Sequence, residues 1–200
     1  MPSGSVSISV ICENTIWSQS LVDTGGGYEK HVISLPAGLA GSSVHGATDS
    51  VITLATGHGL TTASVVSVAW TGGKRIGMTV SAYDGTSITV TNSTGVGDTY
   101  PSGTVDVIVC TATAVPDIGF DGDEAKFLLV MSDQRATLDF LDSGAASLLS
   151  KEIAIAGDAY YWSLASGVAN PLTGNAVASA KAYNHSIAVT TITVCAVLST

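Results

Sequence analysis

The side chains that could do chemistry are few in this chain, and their spacing matches no common catalytic motif. The four histidines, His31, His45, His58 and His185, are scattered along the sequence. The sequence contains no Gly-x-Ser-x-Gly nucleophile elbow, no phosphate-binding loop, no dinucleotide-binding glycine fingerprint and no metalloprotease helix motif. We therefore predict a protein that is not an enzyme and that has no catalytic residue and no cofactor.

The densest group of carboxylates is the segment Phe120-Asp-Gly-Asp-Glu124. Asp121, Asp123 and Glu124 offer oxygen atoms of the kind that calcium binds in proteins. The segment lacks the Asp-x-Asp-x-Asp-Gly spacing and the distant bidentate glutamate of a calcium-binding loop. We predict a solvated loop here and no metal site.

The three cysteines are odd in number and far apart in the sequence. Cys12, Cys110 and Cys195 each lie within an apolar, strand-like run. Thiols in such surroundings behave as small apolar side chains. We predict buried free thiols, with no disulfide bond and no metal.

Alternation of apolar and polar residues predicts β-strands along most of the chain. Val6, Ile8 and Val10, for example, alternate with serines. Further strands are predicted at residues 29–35, 126–131, 136–141, 152–155, 160–164 and 189–198. The best candidate for a helix is the alanine-rich segment 173–183, although its valines and polar residues also fit a loop and a strand.

The chain contains few charged residues, and its net charge is negative. Charged residues make up 12% of the sequence, against a usual fraction of about a quarter, so much of the surface must be neutral. The net charge of −9 argues against binding to nucleic acid, because affinity for phosphates depends on clustered Lys and Arg. No apolar run approaches the roughly 20 residues that cross a bilayer, and we expect no membrane contact and no signal peptide.

Residues 51–110 have the pattern of a small β-barrel inserted into a second all-β domain. Around four to five short strands are predicted in it, including a hairpin around Asp84-Gly85. A three-residue loop at 83–85 would pair Val80 with Ile88 and Met78 with Val90, which keeps the apolar residues on one face. In this interpretation Gly85 supplies the left-handed position of the turn.

The start of this insert carries a recognisable order of residues. Val51-Ile-Thr-Leu-Ala-Thr-Gly-His-Gly-Leu60 is followed by an apolar strand at 64–70. This order resembles the His-Gly-Leu modules of tailed-phage virion proteins, which are SH3-like or similar small barrels. The resemblance implies a structural role for His58 in fixing its loop. The chain departs from the module at Ala63-Ser64, where Gly-Asp is usual.

The last third of the chain resembles the sandwich proteins that coat phage heads. The similarity consists of Tyr160-Tyr-Trp162, Gly167-Val-Ala-Asn-Pro171, Tyr183-Asn-His-Ser186 and a final β-branched strand. Because Tyr160, Tyr161 and Trp162 alternate between the faces of a strand, a second sheet or a partner must cover the ring that points away from the core. We name Tyr160, Tyr161, Trp162 and Trp70 as candidate partner-binding residues.

The predicted architecture is an all-β, jelly-roll-like sandwich of residues 1–47 and 113–200, interrupted by an SH3-like barrel of residues 48–112. The resemblances imply a structural protein of a bacteriophage virion, foremost a decoration or cement protein that binds the major capsid protein or another virion protein. Alternatives are a tail fibre or baseplate component, and a carbohydrate-binding module. We expect a homo-oligomer, with a trimer favoured, assembled into the virion in the host cytoplasm.

Overall fold

The computed structural model describes residues 5–12, 15–22, 27–46, 49–71, 73–91 and 106–199. The predicted all-β class is confirmed. In chain order the strands are β1 (Ser5–Cys12), β2 (Thr15–Val22), β3 (Tyr28–Leu35), β4 (Leu39–His45), β5 (Asp49–Leu54), β6 (Val65–Trp70), β7 (Gly73–Tyr83), β8 (Ser87–Thr91), β9 (Asp106–Thr111), β10 (Thr113–Val115), β11 (Phe120–Asp121), β12 (Ala125–Ser132), β13 (Ala136–Leu141), β14 (Ser147–Ile153), β15 (Ala159–Ser163), β16 (Ala176–Val177), β17 (Ser179–Asn184) and β18 (Thr190–Leu198). Within the described residues the helices are two short 3₁₀ turns, Gly122–Glu124 and Leu164–Ser166.

Eight strands form a sandwich of two antiparallel sheets, in the orders β10-β17-β13-β14 and β15-β12-β18-β3. Counted in chain order from β3, with the barrel strands and the short pair β11 and β16 left aside, these orders are 2-7-4-5 and 6-3-8-1. This is the arrangement of a jelly roll, in which two four-stranded sheets enclose one core. The predicted jelly-roll-like sandwich is therefore present.

The sandwich core lies between the two sheets and is built by alternate residues of their strands. Leu128 and Val130 of β12 face Leu138 and Phe140 of β13 within one buried cluster. The ring of Phe120 packs edge-on against Phe140, with ring centroids 6.1 Å apart. Every member of this cluster lies in residues 33–35 or 115–198, so the sandwich has a core of its own.

A closed six-stranded barrel interrupts the sandwich between β3 and β10, with the strand order β4-β5-β8-β7-β6-β9. Its core, which includes Ile52, Val66 and Ile88, comes from residues 39–109. The predicted boundary at 47/48 placed β4 in the sandwich, and the structure places it in the barrel. The reason is closure, because β4 pairs with both β5 and β9 and leaves no open edge.

The hairpin of β7 and β8 does not have the predicted register. Val80 pairs with Val90 and Tyr83 pairs with Ile88, and a bulge interrupts the ladder between Val80 and Ala82. The bulge absorbs one residue, so the loop lies at 84–86, one position later than predicted. Gly85 does not have the positive φ that was predicted for it. The Asp84 carboxylate stabilises the turn by accepting hydrogen bonds from the Thr86 and Ser87 amides at 2.7 and 2.6 Å.

The helix considered for residues 173–183 is not formed. β16 and β17 occupy this segment instead, and β17 lies between β10 and β13 within its sheet. Ala180 and Ala182 are fully buried there, where small side chains fit against the facing sheet. Sheet pairing and burial outweigh the intrinsic helix preference of alanine. The strand predicted around Val6 to Val10 is present as β1, but it pairs with β2 in a separate two-stranded sheet instead of the sandwich. The other predicted strands of the sandwich are present, although β14 spans Ser147–Ile153 instead of residues 152–155.

Candidate functional site

The aromatic strand β15 divides its three rings between the two faces of its sheet. Trp162 is 4% exposed and belongs to the sandwich core, where its Nε1 donates a hydrogen bond to the Val168 carbonyl at 3.0 Å. Tyr160 is half-buried against the same core, and the Lys151 Nζ lies 4.2 Å from its ring centroid. Tyr161 points the other way and is 53% exposed. Of the three predicted residues, Tyr161 is the one available to a partner.

Tyr161 is part of an apolar surface on the outside of the sheet β15-β12-β18-β3. One row across this sheet aligns Ala159, Met131, Thr193 and Val32, and Val32 and Met131 are exposed. The next row aligns Tyr161, Leu129, Cys195 and Lys30. Lys30 is the single charged side chain in these two rows. We call this surface the outer face. Its exposed large apolar side chains are Tyr161, Met131 and Val32, whereas Leu129 and Cys195 are buried. A group of exposed apolar side chains with so little charge is typical of a protein-binding surface.

Trp70 lies in the barrel, at the end of β6, and does not join the β15 aromatics. It is partly buried against the barrel core. Its ring lines a shallow cleft together with Ala69, Thr71, Ile108 and Arg135. Since Arg135 belongs to the sandwich, this cleft lies between the two domains. The four predicted residues are therefore divided between two separate places.

The contact between the barrel and the sandwich is a polar interface that we call the seam. Glu152 of β14 bonds both the Lys74 ammonium of the barrel and the Arg135 Nε, the latter at 2.9 Å. Burial opposes the charge of Glu152, but bonds from Lys74 and then Arg135 prevail and lower its pKa. The Gly38 amide, in the linker between β3 and β4, donates to the Ser186 carbonyl at 2.8 Å. Charges of both domains thus meet in one network.

His185 is the buried centre of the seam and is 2% exposed. Its Nδ1 lies 3.2 Å from the Ser67 hydroxyl of the barrel, and its Nε2 lies 2.8 Å from the Thr137 hydroxyl of the sandwich. Burial lowers the pKa of His185 from 6.5 to about 4, and the positive charges of Arg135 and Lys74 contribute. At neutral pH the ring is therefore uncharged and connects the two domains through both nitrogens.

A cysteine thiol lies beside this histidine network. The Cys110 thiol is 3.7 Å from the Ser67 carbonyl, toward which it donates. Burial raises its pKa to about 11. The thiol therefore stays protonated near neutral pH, which makes it a poor nucleophile and a poor metal ligand. Cys110 and Cys195 are both free and buried; the side chain of Cys12 lies outside the described residues.

His58 connects two loops at one end of the barrel. Its Nδ1 accepts a hydrogen bond from the Leu60 amide at 3.1 Å, so its Nε2 carries the proton and donates to the Asp84 carbonyl at 3.0 Å. Four hydrogen bonds from Thr86 and Ser87 to the Asp84 carboxylate lower its pKa to about 2. Tyr83 is 54% exposed at this barrel tip. The polar atoms of the tip hold its loops together.

The acidic segment 120–124 is bonded to the loop at residues 172–175. The Asp121 carboxylate accepts the Asp123 amide at 3.0 Å, and the Asp123 carboxylate accepts the Gly174 amide at 2.7 Å. Gly122 packs so closely that an added Cβ would lie 2.4 Å from the Leu172 carbonyl oxygen. The segment is thus joined to residues 172–175, while Asp121, Asp123 and Glu124 are exposed to solvent, in agreement with the prediction.

Across the described ranges, no three His, Cys, Asp or Glu side chains are grouped so that they could hold a metal ion. Neither 3₁₀ turn has the length or apolar character of a bilayer-crossing helix, and no other helix is found in the described part of the chain. No protein-family model, curated protein or solved structure matches the chain. The outer face and the seam are therefore the features from which a function can be inferred.

The seam has no signature in the sequence. Ser67 and His185 are separated by 118 residues, and serine and histidine have no spacing rule that would link them. One local signal was present, because Asn184, His185 and Ser186 form a polar triplet at the end of β17. Asn184 is also buried and bonds the Pro36 carbonyl at 2.7 Å, which ties the triplet to the linker that leads into the barrel.

Proposed function

We propose that this protein is a structural component of a tailed-bacteriophage particle, and that it acts as a decoration or cement protein on the outside of the capsid. The observation that carries the proposal is the outer face of the jelly roll, where the apolar side chains of Tyr161, Met131 and Val32 are exposed. Jelly rolls are common in viral capsid proteins, although a fold alone does not fix a function. The low charge of the whole chain agrees with a protein that lives in contact with other subunits.

The mechanism in this proposal is association without side-chain chemistry. Tyr161, Met131 and Val32 lose their exposure to water when the outer face lies against the major capsid protein or another virion protein. Each square ångström of apolar surface removed from water contributes about 25 cal/mol, and copies placed across subunit junctions would add these contributions around the particle. In this arrangement the barrel projects as a knob or as a bridge to a neighbour.

We propose a homo-oligomer as the assembled form, with a trimer favoured because capsid junctions commonly have threefold symmetry. Light scattering at tens of micromolar protein tests the state in free solution. A mass of three chains supports the trimer, whereas a monomer would restrict assembly to the particle surface.

The direct test of function is co-sedimentation with tailless heads of the phage that encodes the chain, prepared without this protein. We expect wild type to bind and Tyr161→Asp to lose binding, because the carboxylate would be buried in an apolar contact. Tyr83→Asp is the matched control, since Tyr83 has nearly the same exposure, 54% against 53%, but lies at the barrel tip. Failure of wild type to bind heads would reject the cement function. Loss of binding in Tyr83→Asp alone would show that the contact with the capsid lies at the barrel tip.

Two alternatives are separated by other binding partners. A tail fibre or baseplate component would bind host cells or tails instead of tailless heads. A carbohydrate-binding module would be retained on immobilised glycans, and the cleft beside Trp70 is the place where a sugar ring could stack. Trp70→Ala would then abolish glycan retention and leave binding to heads unchanged.

A further inference from the structure

We infer that the seam is an acid-sensitive joint, in which protonation of His185 separates the barrel from the sandwich while both domains stay folded. His185 belongs to the loop between β17 and β18, yet one ring nitrogen is bonded to the barrel and the other to the sandwich. A change in the charge of this ring therefore acts on the contact between the domains.

The hydrogen bonds of the ring favour its neutral form. A neutral imidazole has one donor nitrogen and one acceptor nitrogen, and a hydroxyl group can complement either. The protonated ring has two donors, so the Ser67 and Thr137 hydroxyls would both have to accept. Both side chains are fully buried, at 0% exposure. Each hydroxyl hydrogen would then need a new acceptor in a place that water does not reach.

The charges around the ring also oppose protonation. Lys74 approaches from β7 and Arg135 from the turn before β13, and both are cations. Glu152, from β14, is the acidic group that faces the ring, and it is already bonded to these two cations. The neighbouring titratable group from β9 is the neutral Cys110 thiol. Protonated His185 would thus have to share the Glu152 carboxylate with Lys74 and Arg135.

The direction of the pH effect follows from linkage. In the open joint the ring is hydrated and titrates near 6.5, whereas in the closed joint its pKa is about 4. A lowered histidine pKa means that the open state binds protons first, so closure weakens as the pH falls from 6.5 towards 4. These two values give a shift of about 20-fold in the closing equilibrium between pH 7 and pH 5. The bonds from Lys74 and Arg135 outweigh burial and lower the pKa of Glu152, which favours its charged form over this interval.

Amide hydrogen exchange of the full chain tests the joint. The Gly38 amide, bonded to Ser186, reports on the seam; the Val80 amide, bonded to Ser64, and the Ala178 amide, bonded to Leu141, report on the barrel and the sandwich. After correction for intrinsic exchange, we expect opening at Gly38 to rise about 20-fold from pH 7 to pH 5. Opening at Val80 and Ala178 should stay constant. An equal rise at all three amides would mean global unfolding and would overturn the inference.

Two variants and one titration complete the test. His185→Gln, which keeps a donor and an acceptor but does not titrate, should remove the pH dependence at Gly38. His58→Gln, at the barrel tip, should retain it. If His185→Gln does not fold, the wild-type His185 ring is titrated by NMR instead. A midpoint well below 6.5 that coincides with faster exchange at Gly38 supports the joint, and an ordinary midpoint near 6.5 refutes it.

Discussion

Two buried serines of the barrel provide a pair of matched substitutions with opposite expected signs. Ser43 and Ser67 are both 0% exposed. The Ser43 hydroxyl has no hydrogen-bond partner among the described residues, whereas the Ser67 hydroxyl is bonded to His185. Ser43 is paired with Ile52 across β4 and β5, so its side chain lies on the face that forms the barrel core.

The expected magnitudes follow from the state of each hydroxyl. An unsatisfied buried hydroxyl costs about 1–3 kcal/mol, and the small void left by the oxygen atom cancels part of the gain. We expect Ser43→Ala to raise the free energy of unfolding by about 1 kcal/mol, which is roughly 2–4 °C in Tm for a chain of this size. Ser67→Ala should lower the same free energy by about 1–3 kcal/mol, because it leaves the buried His185 Nδ1 without a partner.

Urea denaturation at pH 7, followed by circular dichroism, measures both variants against wild type. The slope of the transition must be unchanged for the comparison to report on the folded state. A loss of stability in Ser43→Ala equal to that in Ser67→Ala would refute the reasoning. It would show that the Ser43 hydroxyl has a bonding partner, such as a water molecule inside the barrel.

Three further outcomes test other parts of the structure. Gly122→Ala should lower the free energy of unfolding by about 1–3 kcal/mol, because its new Cβ would lie 2.4 Å from the Leu172 carbonyl oxygen. Gly85→Ala is the control, since nothing lies within 4 Å of its Cβ position, and a thermal melt should show little change for it. In a Cys12→Ser background, Cys110 and Cys195 should resist a thiol reagent at pH 8 in the native protein and react fully in urea, because both are buried and the pKa of Cys110 is raised to about 11; rapid native labelling would contradict this. Replacing residues 39–111 by a short Gly-Ser linker should leave a folded sandwich by circular dichroism, because the sandwich core contains no barrel residue; an unfolded or aggregated product would show that the barrel is needed for the sandwich to fold.

Periodicity predicted the strands where one face of a sheet is buried, and it was less useful elsewhere. β13 was predicted to the residue, since Ala136, Leu138 and Phe140 all enter the core. β4 was missed because its sequence, Leu-Ala-Gly-Ser-Ser-Val-His, has no clear alternation. The barrel nevertheless requires it for closure. Membership of a closed sheet is decided by pairing partners, and a local pattern does not contain them.

Of the two candidate sites, the aromatic strand β15 was predictable from the sequence and the seam was not. Alternation in β15 correctly indicated that its rings lie on both faces of the sheet, but it could not tell which ring is buried. The structure places Trp162 in the core and leaves Tyr161 exposed. The seam could not be predicted, because it depends on the orientation of two domains. The seam brings residues from β6 and β7 of the barrel together with residues from β13 and β14 of the sandwich.

The order of strands in the sandwich has a consequence for solubility at high local concentration. Its sheets end at β10, β14, β15 and β3, and exposed edges invite copies of a protein to join strand to strand. β10 is only three residues long, whereas β3 carries Glu29 and Lys30 and β14 carries Lys151 and Glu152. The β14 edge also lies beside the seam, where Glu152 is bonded to Lys74 and Arg135. The fourth edge, β15, carries no charge, so it is the edge at which crowded copies would first pair strand to strand.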